Sequence, residues 1–519
     1  MKVLNMIGRA GLLAVLVPLS ASAQLGEPGW RVTMQTTNGW GDHTPLWQNA
    51  NRYGMGSTQK NNGYLQAGVY SPVPADSVRR WGFGYGLSLV GAWRAVSPFY
   101  VQEAYAEARW LKGTLTVGSK EYPMELKNNR LSSGSQTLGI NARPVPQVRL
   151  ALPRYWTFAK GWLGLKGHIA YGIATDGGWQ ERFTTGASRY SKKVLYHSKA
   201  GYLKVGNTAR FPLSVELGLE SACLFGGDFY RRRADGGLDH WSEPHDFGAF
   251  VDAFLPNDKN KGSDQYMNVP GNQIGSWVAR VSYEAPSWQL GVYVDHFFED
   301  HSAMFFADYD GYGEGDRWNV KENNRYLTYG LKDLLLGAEL KLKRFRYINN
   351  VVLEYVCTKY QSGPIFHDHT AAIPDHLGGR DDYYNHTLYV GWQHWGQVMG
   401  NPLYRSPLYN TNGEIYIEDN RFVAWHAGVS GEPAPQVGYR LLATLQKGYG
   451  TYARPYPDPR RNFSLLAEAT YTFAASSALG GWAVTGSFGL DSGRLLGGSG
   501  AFQLTLTKTG GIHFNKKRK

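Results

Sequence analysis

Two cysteines, Cys223 and Cys357, are all that the 519 residues contain. So few, so far apart, build no disulfide framework and no thiolate zinc site. Beyond residue 23 there is also no apolar run long enough for a membrane-spanning helix. Charge is sparse, at 18% of residues, and uneven in sign: 54 Lys and Arg against 42 Asp and Glu, a formal net charge of +12. No Pro- or Ser-rich linker divides the chain, and no low-complexity segment interrupts it.

The N-terminus carries Lys2 and Arg9, an apolar run over residues 10–19 and then Ala21-Ser22-Ala23. This pattern is that of a secretory leader cleaved after Ala23, giving residues 1–23 as signal peptide and 24–519 as one domain. Removing Lys2 and Arg9 lowers the charge from +12 to +10, since 12 minus 2 is 10. No cysteine follows the cut, so a lipid anchor is not expected.

The main signal is alternation. Leu163, Leu165, Ile169, Tyr171 and Ile173 are apolar, and Gly164, Lys166, His168, Ala170 and Gly172 between them are small or polar. Successive strand residues point to opposite faces, so this spacing makes one apolar and one wet face. It recurs at Trp81–Trp93, Leu213–Leu219 and Phe463–Thr472. Further strands are expected at Trp277–Tyr283, Trp288–His296, Leu334–Leu342, Val351–Lys359, Tyr439–Lys447, Trp482–Asp491 and Ala501–Lys508. Many similar strands with charge on the second face indicate an all-β fold. The expected form is a large closed antiparallel transmembrane barrel, with lipid outside and water inside. The mean hydropathy of -0.39 agrees, because only alternate residues meet lipid. The 17 Trp and 34 Tyr suit interfacial girdles or ligand-stacking loops. By parity both cysteines are expected unpaired and facing lipid. Residues 284–287 and 474–481 read as short periplasmic turns. Long extracellular loops are expected near residues 175–197, 227–275, 300–329, 361–385 and 396–421.

Other segments exceed what alternation explains. Residues 44–54 read Thr-Pro-Leu-Trp-Gln-Asn-Ala-Asn-Arg-Tyr-Gly, and residues 131–135 read Leu-Ser-Ser-Gly-Ser. Asn141-Ala142-Arg143-Pro144-Val145-Pro146-Gln147 follows, then Tyr383-Tyr384-Asn385-His386, Gly391-Trp392-Gln393, Gly400-Asn401-Pro402-Leu403, Asn420-Arg421, Tyr439-Arg440 and Gly450-Thr451-Tyr452. Taken together, these resemble the capsule-assembly Wzi family of outer-membrane proteins, over nearly all of the mature chain. The resemblance implies a barrel of about 18 strands, within the bacterial range. It also implies a lectin-like protein that binds capsular or other surface polysaccharide and aids its attachment and assembly at the cell surface. The implied location is the Gram-negative outer membrane. The implied partners are surface polysaccharide, outer-membrane lipid and polysaccharide export machinery. Two departures stand out. Gln24–Asp42 is short and rich in Gly and Thr, so the helical bundle that family members can carry is expected to be missing or much reduced, and a basic tail follows Phe514 where many barrels end on an aromatic residue.

Glycan binding needs flat aromatic faces beside Asn, Asp or Arg. The candidates in the loops are Asp176, Trp179, Trp241, Tyr309, Trp318, Tyr383 and Tyr384, with Arg231 and Arg232 for acidic sugars. Taken singly, each aromatic reads more simply as loop packing and the arginine run as a solvated loop. Arg143 is expected to serve a structural role in the lumen, where Glu103, Glu107, Glu216, Glu220 or Glu339 could pair with arginines. Pro144 and Pro146 cannot donate ladder bonds, so residues 132–147, Asn141 included, are expected to be irregular, either folding inward as a plug or forming a rigid loop.

No enzyme is expected. Gly497–Ala501 resembles a nucleophile elbow only in part, Gly82-x-Gly84-x-Gly86 is a strand face, and Asp308–Gly311 lacks the later acids of a calcium loop. His367, Asp368, His369, Asp375, His376, Asp381 and Asp382 fix no metal geometry, so neither metal nor cofactor is expected. Export argues against nucleic acid as a partner. The alternative function is a porin or solute channel, which would share the barrel but keep an open lumen.

Overall fold

The computed structural model describes residues 24–74, 80–186, 188–233, 235–256, 271–299, 311–312, 315–317, 320–322, 332–361, 363 and 380–512. The leader expected at residues 1–23 and the basic tail lie outside them, as do Tyr309, Trp318 and residues 364–379 of the His/Asp-rich stretch.

The main sheet has 19 strands, one of them the two-residue Gln24–Leu25; the other eighteen form the wall. They are β1 (Gly29–Gly41), β2 (Gly63–Ser71), β3 (Trp81–Trp93), β4 (Phe99–Trp110), β5 (Gly113–Ser119) and β6 (Gln147–Phe158). Next come β7 (Leu163–Ile173), β8 (Leu195–Val205), β9 (Leu213–Phe225), β10 (Asn272–Glu284), β11 (Trp288–Glu299) and β12 (Leu334–Leu342). Last are β13 (Asn350–Cys357), β14 (Phe422–Ala434), β15 (Val437–Gly450), β16 (Pro455–Thr472), β17 (Trp482–Gly493) and β18 (Ser499–Gly511). Each wall strand is antiparallel to its neighbours, and β1 pairs with β18 from Gly29↔Gly511 to Gly41↔Ser499. That last ladder closes the barrel and leaves no open edge for aggregation. At the N-terminal side, Gln24 and Leu25 run parallel to Gly82 and Phe83.

The alternation read from sequence sets the wall. Leu165, Ile169, Leu217, Leu353 and Leu445 stand exposed on the outside, and the polar residues between them turn inward. Exposed Trp81, Trp110, Trp156, Tyr471 and Trp482 ring the end with short turns; Trp40, Trp93 and Phe99 lie at the other. These are the two girdles of a membrane barrel. Pro153 cannot donate to a ladder, and the β6–β7 register slips between Leu152 and Trp156.

Both termini of the wall and the turns 111–112, 285–287 and 435–436 sit at one end. The longer connections leave the wall at the other end, after Gly41, Ser119, Ile173, Phe225, Glu299 and Cys357. Neither cysteine forms a disulfide, as expected, but both are buried and neither meets lipid. They occupy outward positions near the long-loop end, where connections cover them. A helix at Phe247–Phe254 packs over Cys223, and Cys357 Sγ lies 3.6 Å from Asp333 Oδ1.

Candidate functional site

Three of the long connections turn into the barrel instead of outward. Residues 120–146 cross the lumen, held by carboxylates projecting from four strands. Glu220 comes from β9, Asp295 from β11, Glu339 from β12 and Glu354 from β13. Ser132 Oγ donates to Glu354 Oε1 at 2.6 Å, and the Ser133 N–H donates to Oε2 at 2.7 Å. Asp295 accepts from the Gln136 N–H at 3.0 Å and pairs with Lys127 Nζ at 2.8 Å. Glu339 accepts from Asn128 at 2.9 Å and pairs with Arg280 at 2.7 Å. Buried carboxylates need partners: Asp295 and Glu339 are ion-paired and hydrogen-bonded, whereas Glu220 accepts from Tyr202 at 2.8 Å and Ser135 at 3.3 Å, and Glu354 from Ser132, Ser133 and Tyr293.

The other two inward segments interlock with the first. Asn141 accepts from the Asn51 N–H at 3.1 Å and donates to Val398 O at 2.9 Å, joining all three. Residues 46–49 form a one-turn helix whose Trp47 Nε1 donates to Thr444 at 3.0 Å on β15. The Gly139 N–H donates to Met399 O at 3.1 Å. Glycine is needed at this crossing, because a Cβ on Gly400 would run into Tyr384 Oη and Gln136 O. Leu131, Tyr383, Tyr384, Trp392 and Tyr404 fill the space above as one apolar cluster. Most of the segments that carried the family resemblance lie in this interlocked interior.

Several site expectations change here. Tyr383 and Tyr384 are 0% exposed, and Trp179 is buried with its ring stacked on Phe183 at 4.8 Å. Their ring faces are taken up by packing, so they offer no stacking platform. Asp176 accepts from the Gly178 and Gln180 N–H groups at 2.8 and 3.0 Å, fixing the turn before Trp179. Trp241 stacks on Phe229 at 5.9 Å. Arg143 does lie buried inside the barrel, but its guanidinium is sandwiched by Tyr100 at 3.3 Å and Trp395 at 4.5 Å instead of pairing with a wall carboxylate. Pro144 O accepts from Ser119 Oγ at 3.2 Å, and Pro146 O from the Ile173 N–H at 3.1 Å. The prolines thus tie the plug to the wall by their carbonyls.

Above the plug, the long-loop end presents two basic and aromatic clusters. The first is a small sheet of Arg189–Lys192, Gly227–Arg232 and Leu238–Glu243. Tyr190, Tyr230 and His240 are cross-strand partners and form a ring ladder, with centroids 5.0 and 4.7 Å apart. Lys192 lies 5.3 Å from the Tyr230 ring, and its ammonium holds the Glu181 carboxyl below the usual carboxylate range. Arg231 is exposed and pairs with Asp239 at 2.8 Å, which lowers that carboxyl as well. Exposed Arg232 donates to Glu181 O at 3.1 Å, and its guanidinium has further donors not engaged among the described residues.

The second cluster was not picked out from sequence. Arg421 lies 3.7 Å from the Tyr452 ring centroid, Arg380 5.9 Å from the same ring, and Lys359 4.9 Å from Tyr449. Arg454 lies 4.6 Å from Tyr416 and also pairs with Glu414. The one local signal is Tyr449-x-x-Tyr452-x-Arg454; the other cations arrive from a different connection. Such surfaces suit acidic, hydroxyl-rich ligands, with cations for carboxylates and rings for sugar C–H faces. No group of metal-ligating side chains occurs among the described residues.

The chain is structurally similar to Wzi. Wzi is an outer-membrane protein involved in group 1 capsule assembly in Escherichia coli and a carbohydrate-binding β-barrel. The TM-score to Wzi is 0.52 at 12% identity, over 97% of this chain and 87% of Wzi. Pseudomonas aeruginosa OprD gives a TM-score of 0.42 at 10% identity over 95% and 98% of the two chains. Acinetobacter baumannii OccAB4 gives 0.43 at 10% over 94% and 99%. No protein-family model matches the sequence, and no curated protein matches it. At these identities the comparisons establish the outer-membrane β-barrel fold shared with Wzi.

Proposed function

We propose that this outer-membrane barrel is a lectin-like protein that binds acidic surface polysaccharide at its long-loop rim and aids its attachment to the cell. The observation that carries the reading is the pairing of a lumen crossed by residues 120–146 with a rim of cation–aromatic contacts, Arg421 on Tyr452 foremost. A lumen crossed by ion-paired segments suits a rigid platform better than a route for solute. Each rim contact is weak, at roughly 0.5–1 kcal/mol when exposed, but a polymer engages many at once, and their effects multiply. The similarity to Wzi, a carbohydrate-binding barrel, supports the same reading. Polysaccharide export machinery is the further partner in this proposal.

The test is calorimetric binding of the detergent-purified barrel to the source cell's own surface polysaccharide, beside bilayer conductance on the same preparation. Saturable binding with little conductance is expected. Stable large conductance without binding would assign the protein to the solute channels instead.

A further inference from the structure

The outer wall carries a feature that polysaccharide binding does not use. The helix Phe247–Phe254 lies on the outside of the barrel, against β7, β8 and β9. Asp246 caps it by accepting from the Ala249 N–H at 3.0 Å. Its inner face packs Phe250 against Tyr171 and Phe225, with ring centroids 5.3 and 5.2 Å away, and Tyr171 Oη donates to Phe250 O at 2.8 Å. Its other face is also apolar: Phe247, 83% exposed, is followed four and eight residues later by exposed Val251 and Leu255. A helix apolar on both faces needs an apolar medium on each side. Here one is the barrel wall, and the other is continuous with the lipid that the wall already faces.

Next to this helix, toward the middle of the wall, outward-facing side chains are missing. Gly167 pairs with Gly201, and Gly201 with Leu219. The two glycines leave a groove of about 790 Å³, bordered by Leu165, Leu203, Leu217 and Trp277. One outward position closer to the helix stands Lys199, opposite Ile169 and Ser221. Its ammonium donates to Phe254 O and has no carboxylate partner among the described residues. An ammonium on a lipid-facing wall is destabilising unless it lies near an interface or meets an anion, and two of its three donors remain.

We propose that this wall binds one phosphate-bearing anionic lipid of the membrane. An acyl chain fills the groove over Gly167 and Gly201, and the phosphate meets Lys199 at the C-terminal end of the helix. Phe247, Val251 and Leu255 dip into the same leaflet and hold the helix over the site.

The test uses the full barrel, delipidated in detergent and offered phosphatidylglycerol or phosphatidylcholine at equal concentration. Native mass spectrometry reads the lipid retained. The wild type is expected to retain one phosphatidylglycerol, at least tenfold over phosphatidylcholine. Lys199→Gln should bring the two lipids level. Gly201→Leu should reduce both at least tenfold; its new Cβ points into open space, so the barrel is expected to fold. Lys199→Gln carries the test should that variant fail to fold. Equal retention of both lipids by the wild type would overturn the proposal. So would a phosphatidylglycerol preference that survives Lys199→Gln, or displacement of the lipid by inorganic phosphate alone.

Discussion

Lys127 Nζ lies 2.8 Å from the carboxylate of Asp295, and only 1% and 0% of the two side chains are exposed. The pair joins the crossing segment to strand β11, and the Gln136 N–H donates to the same carboxylate oxygen. Breaking a buried pair from one side leaves an uncompensated charge, at a cost of about 3–5 kcal/mol. Lys127→Met is therefore expected to lower unfolding stability by that amount, read from denaturant titrations in detergent. Adding Asp295→Asn should recover part of it and raise conductance by loosening the plug. A loss below about 1 kcal/mol would show that the pair does not clamp the segment.

Tyr383 fills the interior, with its ring 4.6 Å from Phe297 in an edge-on contact. Truncating a large buried ring leaves a cavity and costs about 3–5 kcal/mol. Tyr383→Ala should accordingly behave as a stability variant. Polysaccharide affinity per folded molecule is expected to stay within twofold, measured by calorimetry at a temperature where the variant is folded. A large affinity loss in a folded variant would return the residue to the binding surface.

Arg421 and Tyr452 are expected to behave in the opposite way. Arg421→Ala removes a half-buried cation from an aromatic face and should weaken polysaccharide binding by roughly 0.5–1 kcal/mol per engaged site. The loss should be largest at low ionic strength, since screening suppresses exposed charge contacts. Titrations at low and high salt, beside a thermal melt of the same variant, separate this from misfolding. Unchanged affinity at both salts would remove this cluster from the site.

Asp419 makes stability depend on pH. It lies in an inward connection, and burial raises its carboxyl to about 7, against the Gly450 N–H at 3.0 Å. An acid raised on folding binds protons better in the folded state. Its contribution is therefore fully favourable below the ordinary aspartate value of 3.8 and is lost as pH climbs through about 7. The denaturation midpoint should fall between pH 4 and pH 7. Asp419→Asn, which cannot ionise, should flatten that fall. An identical slope in the variant would place the titrating group elsewhere.

The plug was partly readable from sequence. Pro144 and Pro146 break the ladder pattern, and that alone marks residues 132–147 as irregular. Tyr383 and Tyr384 were not, because a tyrosine in a polar connection looks the same whether its ring faces water or packs on Phe297. The rim was harder still. Arg421 and Tyr452 flank strands β14 and β15, and Lys359 and Arg380 come from the connection before them. No spacing rule joins residues that only barrel closure brings side by side.

Alternation in single segments, such as Leu163–Ile173, already determined strand, facing and membrane class, because a residue's side of a sheet depends only on its parity. Which connections turn inward depended on tertiary structure. Lys127, Ser133 and Gln136 can leave water only where Asp295 and Glu354 stand ready to receive them. Those acceptors come from strands more than a hundred residues away in the chain, so the choice is made by the closed wall as a whole.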